Sequence, residues 1–369
     1  PLLPLLRTLG AAAAGAAAAI LWRRWRERRA QRLGLNVTTD AAKGLVWTCI
    51  GGALQASQLF LGDKLGLYAS MKHLCEKKDS GFTVIDLAAS TGLHVRWLRE
   101  WCAQQAAMGV LVLLDGEGDD DADLCYILPA AFAEVLADPT SSNYDIAMIQ
   151  AVPSLLARAR DSIPEAFRTG LGMPYDDENI ASAIDRQHTV SIRHFVIPKL
   201  LPSIADGHVL AKLESGARVA DLGCGGGNLL IEMAHRFPFS EFHGYEVSDV
   251  AIEHAKKAIA AAALRNAHVH DARKAGGSID STPARFDLIL TYDVLHDAPQ
   301  PQELMIAARR ALAPHGVWLI ADIKCADGVR ANMRDGAAKT YWAFSTCLCM
   351  ASALSEPNGK GLGTLGFSP

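Results

Sequence analysis

The sequence lacks the features that mark several common classes of protein. Its net charge is only -4 over 369 residues, so no overall attraction to nucleic acid is expected. The eight cysteines are scattered, and the close pair Cys347 and Cys349 has no second pair to complete a zinc site. We therefore predict no metal, reduced thiols and a reducing compartment of the cytoplasmic type.

Long hydrophobic runs are also scarce. Thr8 to Trp22 is an uncharged, alanine-rich stretch followed by an arginine cluster from Arg23 to Arg29. It is shorter than the roughly 20 residues of a spanning helix. For residues 1–40 a membrane anchor with a basic flank, an organelle-targeting segment and a solvated helix remain alternatives. The initial Pro1 and the glycine-rich end favour a fragment of a longer protein.

Residues 41–145 have the pattern of a winged-helix domain. Thr83 is placed to cap a helix over Val84–Ala89, and a second helix is predicted over Val95–Ala107. Two short apolar runs, Val110–Leu114 and Leu124–Leu128, then predict a hairpin. This order of helix, turn, helix and hairpin indicates a winged helix.

The predicted wing argues against DNA binding. Its tip, from Asp115 to Asp123, carries six carboxylates, which repel phosphate. We therefore expect no nucleic-acid partner, and a role for this module in dimerisation or as a lid over substrate.

The rest of the chain predicts a helical linker over 146–212 and an α/β domain over 213–369. Strands alternate with helices from Arg218 onward, which is typical of a parallel sheet covered by helices on both faces. Strands are predicted at Val219–Leu222, Glu241–Val247, His268–His270, Phe286–Tyr292 and Val317–Ile323, with helices at Leu229–Arg236, Val250–Ala263 and Pro301–Leu312.

A glycine-rich loop follows the first of these strands. Gly223, Gly225 and Gly227 alternate with other residues, which lets a ligand approach the backbone where no Cβ intervenes. A dinucleotide fingerprint requires its third glycine at position 228, which is Asn228. Glu246 ends the second strand, where an acid accepts hydrogen bonds from ribose hydroxyls.

This loop, with Asp221 before it, resembles motif I of the class I S-adenosylmethionine (SAM) methyltransferases. The resemblance implies a Rossmann-like sheet and SAM as cofactor. It also implies that the loop packs against the methionine part of SAM, that Asp271 and the Ala272 backbone contact adenine, and that Asp293 contacts SAM after the fourth strand. Asp221, Gly223, Gly225, Gly227 and Glu246 complete the implied cofactor-binding set.

A wider resemblance covers residues 45–369. A winged helix, a helical linker and this domain together are similar to small-molecule O-methyltransferases and to bacterial winged-helix methyltransferases, some of them regulators. The strings Leu295–Asp297 and Tyr341–Ser345 look like the bacterial group. That family has seven strands and five are found here, so we expect the sheet to be incomplete at its C-terminal end.

The function predicted is therefore SAM-dependent methyl transfer to a small-molecule acceptor. The alternative is a SAM-binding winged-helix transcriptional regulator without catalysis. A nicotinamide-dependent oxidoreductase is disfavoured by Asn228 and Asp271. A homodimer and a membrane tether through the N-terminal segment are further expectations about partners.

His296 is the candidate general base. It follows the fourth strand, where open α/β sheets place their sites, and its ordinary pKa of about 6.5 suits proton transfer at neutral pH. A role in positioning SAM or in packing remains the alternative for His296. Tyr175 is interpreted as a lid residue or a surface tyrosine, and Tyr341 and Trp342 as substrate-site walls or core residues.

Overall fold

The computed structural model of the chain describes residues 20–29, 37–114, 124–274, 278–279 and 285–367. It divides into two compact units, one ending at Gln55 and one beginning at Ala56. The predicted wing tip, residues 115–123, and most of the apolar stretch that starts at Thr8 lie outside the described residues. The predicted domain boundaries at 40, 145 and 212 stay predictions.

The first unit contains helix α1, described over residues 20–29, and the beginning of α2, Thr39–Lys64. Large apolar side chains of α2, including Leu45, Trp47 and Leu54, are exposed. Within the described part of the chain, α2 is the one helix long and apolar enough to cross a membrane, by length and composition alone.

The second unit begins with a small mixed module that follows the element order predicted from the sequence. Thr83 caps α4 because its side chain accepts a hydrogen bond from Asp86 N, and the Asp86 side chain accepts one from Thr83 N. The wing strands are shorter than expected, and a third strand was not predicted. The elements are α3 (Leu67–Lys77), β1 (Phe82–Thr83), α4 (Val84–Thr91), α5 (Val95–Ala107), β2 (Val112–Leu113), β3 (Cys125–Ile127) and α6 (Ala130–Leu136), with antiparallel sheet order β1-β3-β2.

The predicted linker is helical, with several breaks. Asp177 caps its longest helix by accepting a hydrogen bond from Ile180 N. Pro198 lies inside a π-helical segment that continues this helix. The elements are a 3₁₀ turn (Ala147–Ala151), α7 (Val152–Asp161), α8 (Ile163–Thr169), α9 (Glu178–Ser191), the π-helical segment (Ile192–Leu200), α10 (Leu201–Ser203), a 3₁₀ turn (Ile204–Gly207) and α11 (His208–Ser215).

A five-stranded parallel sheet in the order β6-β5-β4-β7-β8 forms the centre of the C-terminal region. The predicted Rossmann-like fold is thus confirmed. The fifth strand starts earlier than predicted, at Leu312, and ends at Ala321, so Asp322 follows it directly. The elements are β4 (Arg218–Leu222), α12 (Asn228–Arg236), β5 (Glu241–Glu246), α13 (Asp249–Ala261), β6 (Ala267–Asp271), β7 (Phe286–Tyr292), α14 (Pro301–Ala311), β8 (Leu312–Ala321), α15 (Val329–Asn332), α16 (Ala338–Cys347) and α17 (Cys349–Ala353).

Candidate active site

Acidic residues lie at the carboxyl ends of four neighbouring strands. The register of β5 and β6 pairs Glu246 with Asp271 at one edge of the sheet. Asp221 lies near the end of β4, and Asp293 comes directly after β7 with a left-handed φ of 61°. The carboxyl ends of parallel strands form the crevice where open α/β sheets bind ligands, so the structure brings these predicted residues together.

The loop after β4 needs glycine for its backbone conformation. Gly223, Gly225 and Gly227 have φ values of 73°, 54° and 84°, in the left-handed region that other residues rarely adopt. A Cβ at Gly223 would also lie 2.7 Å from the Val294 side chain. The alternating glycines therefore turn the chain from β4 into α12 while keeping the backbone open to a ligand.

Glu246 holds this loop in place. Its Oε2 atom accepts a hydrogen bond from Gly225 N at 2.9 Å. Its Oε1 atom accepts from Val247 N at 2.7 Å and Ser248 N at 2.9 Å. A carboxylate has about four acceptor positions, so Glu246 retains little free capacity. The sequence predicted that Glu246 binds ribose. The structure adds that Glu246 also holds the glycine loop in place.

The crevice beside the loop carries more negative than positive charge. Burial and the charges of Glu246 and Asp185 raise the pKa of Asp221 to about 7. Burial is also the main reason that the pKa of Asp185, on α9, is raised to about 6. Closely spaced acids that are hard to ionise favour a cationic ligand. They disfavour a ligand that brings phosphate groups.

The predicted adenine-binding residues lie at the end of β6. Asp271 accepts a hydrogen bond from Arg273 Nε at 2.9 Å, and this contact holds the pKa of Asp271 well below its usual range. Ala272 N donates to Glu246 O at 2.8 Å. The Ala272 amide is therefore already bonded to the protein, and its carbonyl is the backbone group left for a ligand.

His296 is buried, with 2% of its surface exposed, and forms a pair with Asp322. His296 Nδ1 lies 2.6 Å from Asp322 Oδ1. Asp322 is fixed in turn because it accepts from Leu295 N at 3.2 Å and Ile323 N at 2.8 Å. Asp322 was not predicted as a site residue, because the strand predicted over Val317–Ile323 included it, whereas β8 ends at Ala321.

The charge of His296 is set by opposing effects. Burial alone lowers its pKa, but hydrogen bonds with Asp322 and Cys349 and the charge of Asp297 outweigh burial. The pKa of His296 is therefore raised well above its ordinary value. In the pair with Asp322, His296 is an imidazolium at neutral pH.

Asp293 also lies near His296 Nδ1, the atom that contacts Asp322. Its Oδ2 is 3.5 Å from His188 Nε2, and its Oδ1 is 3.6 Å from His296 Nδ1. Asp293, His296 and Asp322 bring their ligand atoms within 4.8 Å of one another. Zinc ligands about 2 Å from a common ion stand roughly 3 Å or more apart, so the 2.6 Å contact between His296 and Asp322 is a hydrogen bond. We assign no metal here.

Tyr175 lies over this part of the site. It packs against Phe344 and the core that includes Leu348 and Cys349. Burial and the nearby charges of Asp297 and Cys349 raise the pKa of its hydroxyl well above 10. Tyr175, Tyr341 and Trp342 are all half-buried, and their predicted roles stay predictions.

Two cavities in the described structure lie away from these residues. The larger, about 720 Å³, is lined by residues such as Lys212, Asp287 and His315 at the amino ends of the strands. The smaller, about 130 Å³, is apolar and includes Phe167 and Met350. The candidate site is therefore defined by its polar groups and by its place in the sheet, since it does not coincide with either cavity.

Residues 213–363 match a protein-family model described as a methyltransferase domain. A comparison with curated proteins gave no match. Residues 213–363 therefore form a methyltransferase domain, and its sheet is the Rossmann-like fold of the SAM-dependent methyltransferases.

Solved methyltransferases share the fold over most of the chain. Human N-acetylserotonin methyltransferase in complex with SAM is 15% identical, with a TM-score of 0.59 over 87% of this chain and 88% of that one. A putative O-methyltransferase from Nostoc punctiforme is 18% identical, with a TM-score of 0.59 over 86% and 88%. The mitomycin 7-O-methyltransferase is 20% identical, with a TM-score of 0.53 over 89% and 87%. The likeness includes the helical region before the sheet.

Proposed function

We propose that this protein transfers a methyl group from SAM to a hydroxyl group of a small molecule. Two structural relatives are named for transfer to small molecules, N-acetylserotonin and mitomycin. The small-molecule acceptor is the one predicted from the sequence. We add that the methyl group goes to a hydroxyl oxygen, because a buried histidine, His296, lies at the site. The regulator alternative receives no support from the comparisons.

The excess of acids around the glycine loop carries this proposal. Besides burial, the charge of Glu246 raises the pKa of both Asp185 and Asp221, and the charge of Asp185 also raises that of Asp221. SAM offers a sulfonium and an ammonium group, whereas a nicotinamide dinucleotide brings a pyrophosphate into the same crevice. Coulomb interactions in a partly buried site favour the cationic ligand.

The residues fit SAM by their chemistry. Glu246 would use its remaining acceptor position for a ribose hydroxyl, Asp271 would hold the adenine amino group, and the loop from Gly223 to Gly227 the methionine part. When bound, SAM supplies an electrophilic methyl group. The protein's part is to align the acceptor with that group and to exclude water. Tyr175 is placed to help with exclusion because it covers the region beside Cys349.

His296 would accept the proton of the acceptor hydroxyl. Its Nδ1 atom is bonded to Asp322, and the imidazole also contacts the Cys349 thiol, so the acceptor hydroxyl would have to reach Nε2 beside Cys349. Asp322 is then a positioning residue that fixes the orientation of the imidazole. Because the pKa of His296 is raised, we expect transfer to speed up with rising pH as His296 loses its proton.

The test is calorimetric titration of S-adenosylhomocysteine, the product of methyl transfer, into the 369-residue chain. We expect micromolar binding that Glu246→Gln weakens at least tenfold, about 1.4 kcal/mol, because a carboxamide loses one acceptor. Glu178→Gln, an exposed change on α9, is the matched control. No binding by folded wild-type protein, or tighter binding of NAD, would overturn the proposed function.

A homodimer and a membrane tether remain proposals about the N-terminal region. The exposed apolar residues of α2, such as Trp47 and Leu54, support both. A reducing compartment remains a proposal from the scattered cysteines of the sequence.

A further inference from the structure

The helical linker places a carboxylate against the glycine-rich loop. Asp185, on α9, is only 8% exposed, and its Oδ1 accepts a hydrogen bond from Gly226 N at 3.2 Å. A Cβ built at Gly226 would lie 1.7 Å from Asp185 Oδ2. A side chain at position 226 would therefore have to displace the Asp185 carboxylate.

A second contact fixes α9 over the loop. Asn228, the first residue of α12, donates its Nδ2 to Asp185 O at 2.8 Å and to Thr189 Oγ1 at 2.8 Å. These two hydrogen bonds explain why position 228 carries an asparagine side chain, whereas a dinucleotide fingerprint has glycine there. Asp185 is thus held in place from two sides of the loop.

One oxygen of Asp185 has no hydrogen-bond donor. Its Oδ2 atom is buried and unpartnered among the described residues, and the ring nitrogen Nδ1 of His254 is 3.8 Å away on a side chain that is 44% exposed. A buried carboxylate oxygen without a donor is costly. Asp221 and Glu246 lie close enough for their charges to repel that of Asp185. A cation bound at Asp185 Oδ2 would therefore be stabilised.

We propose that Asp185 binds the α-ammonium group of SAM, and that the linker thereby supplies a cofactor-binding residue. This assignment rests on the proposed function, because it places the methionine part of SAM at the glycine loop. An ammonium group offers three donors and a positive charge, which match the free Oδ2 atom and the surrounding acids. Such charge-assisted hydrogen bonds are among the stronger ones.

The test compares two ligands on Asp185→Asn. S-adenosylhomocysteine carries the amino-acid group, and 5′-methylthioadenosine shares its adenosine and thioether but lacks that group. Asparagine keeps an oxygen for Gly226 N and removes the charge. By calorimetry, we expect Asp185→Asn to weaken the binding of S-adenosylhomocysteine at least tenfold. The affinity for 5′-methylthioadenosine should stay within twofold of the wild-type value.

Two controls sharpen the result. Glu178→Gln lies on the same helix and is exposed, so it should leave both affinities unchanged. The analogue of S-adenosylhomocysteine without its amino group keeps the carboxylate. Asp185→Asn and wild type should bind this analogue equally.

Other outcomes overturn the assignment. Equal loss for both ligands would mean that Asp185 only supports the loop. Unchanged or tighter binding of S-adenosylhomocysteine would mean that Asp185 does not contact the ammonium group. Failure of folded wild type to bind either ligand would overturn the proposed function itself, and this assignment with it.

Discussion

At the level of single residues, the neighbour on which the charge of His296 depends most is Asp322, with smaller contributions from Cys349 and Asp297. Burial opposes the imidazolium, and Asp322 at 2.6 Å favours it. A histidine whose folded pKa is raised contributes stability that is complete below about pH 6.5 and is lost as the pH rises through the folded pKa. The same pair thus links protonation, stability and the proposed catalytic role.

We predict that Asp322→Asn lowers the pKa of His296 below its ordinary value, because burial remains while the balancing carboxylate is gone. Nitrogen-15 NMR of the histidine side chains measures this directly. The His296 signal, assigned with His296→Gln, should be that of an imidazolium at pH 7.5 in wild type and of neutral imidazole in the variant.

The exposed Asp327, five residues further along the chain, provides the control. Asp327→Asn should leave the His296 signal unchanged. If wild-type His296 is already neutral at pH 7.5, the ion pair with Asp322 does not exist in solution. His296 would then need no rise in pH to act as a base.

At the level of elements, the packing of α2 depends on a single glycine. A Cβ at Gly62 would lie 2.5 Å from the Tyr68 ring and 2.7 Å from Trp101. Trp101 also donates its Nε1 to Gln58 O at 3.0 Å. The last turns of α2 therefore meet α3 and α5 at a distance that only glycine allows.

We predict that Gly62→Ala destabilises the protein, because the cost of overpacking, about 1–3 kcal/mol, exceeds the roughly 1 kcal/mol gained in helix propensity. Urea unfolding followed by circular dichroism should show an earlier midpoint. Gly52→Ala is the matched control on the same helix: nothing lies within 4 Å of its Cβ position, so its midpoint should stay or move later. Equal behaviour of the two variants would contradict this packing.

Elements with a strong local pattern could be predicted from the sequence. The strands and helices from β4 to β8 follow from apolar runs and periodicity, and the glycine loop follows from its spacing. Strand β1, Phe82–Thr83, could not be predicted because two residues show no period and depend on pairing with β3. Its detection needs the tertiary structure.

Contacts between distant elements also escape sequence reasoning. Asp322 meets His296, 26 residues earlier, and Asp185 meets Gly226, 41 residues later. Neither acid belongs to a local pattern, since one follows a strand and the other lies within a helix of the linker. The sequence predicted the acids on the sheet but not the partners that decide their charge.

At the level of the whole molecule, buried groups make stability depend on pH in two opposing ways. The raised pKa of Asp221, about 7, means that the folded state holds a proton that the unfolded state has lost, so stability falls as the pH rises from about 4 to 7. His243, whose pKa burial lowers to about 4, does the reverse. It costs stability as the pH falls from about 6.5 to 4.

We therefore predict that Asp221→Asn, which keeps the shape of the side chain and removes its charge, raises the melting temperature of the ligand-free protein at pH 8. Each kcal/mol gained in the free energy of unfolding should raise the melting temperature by roughly 2 °C or more. The gain should shrink as the pH falls toward 5, because wild-type Asp221 then becomes neutral as well. Thermal melts at pH 5, 6.5 and 8 measure both effects, with the exposed Asp335→Asn as control. A lower melting temperature for Asp221→Asn at pH 8 would mean that the ionised carboxylate stabilises the fold, and the acids of the crevice would then not be in excess.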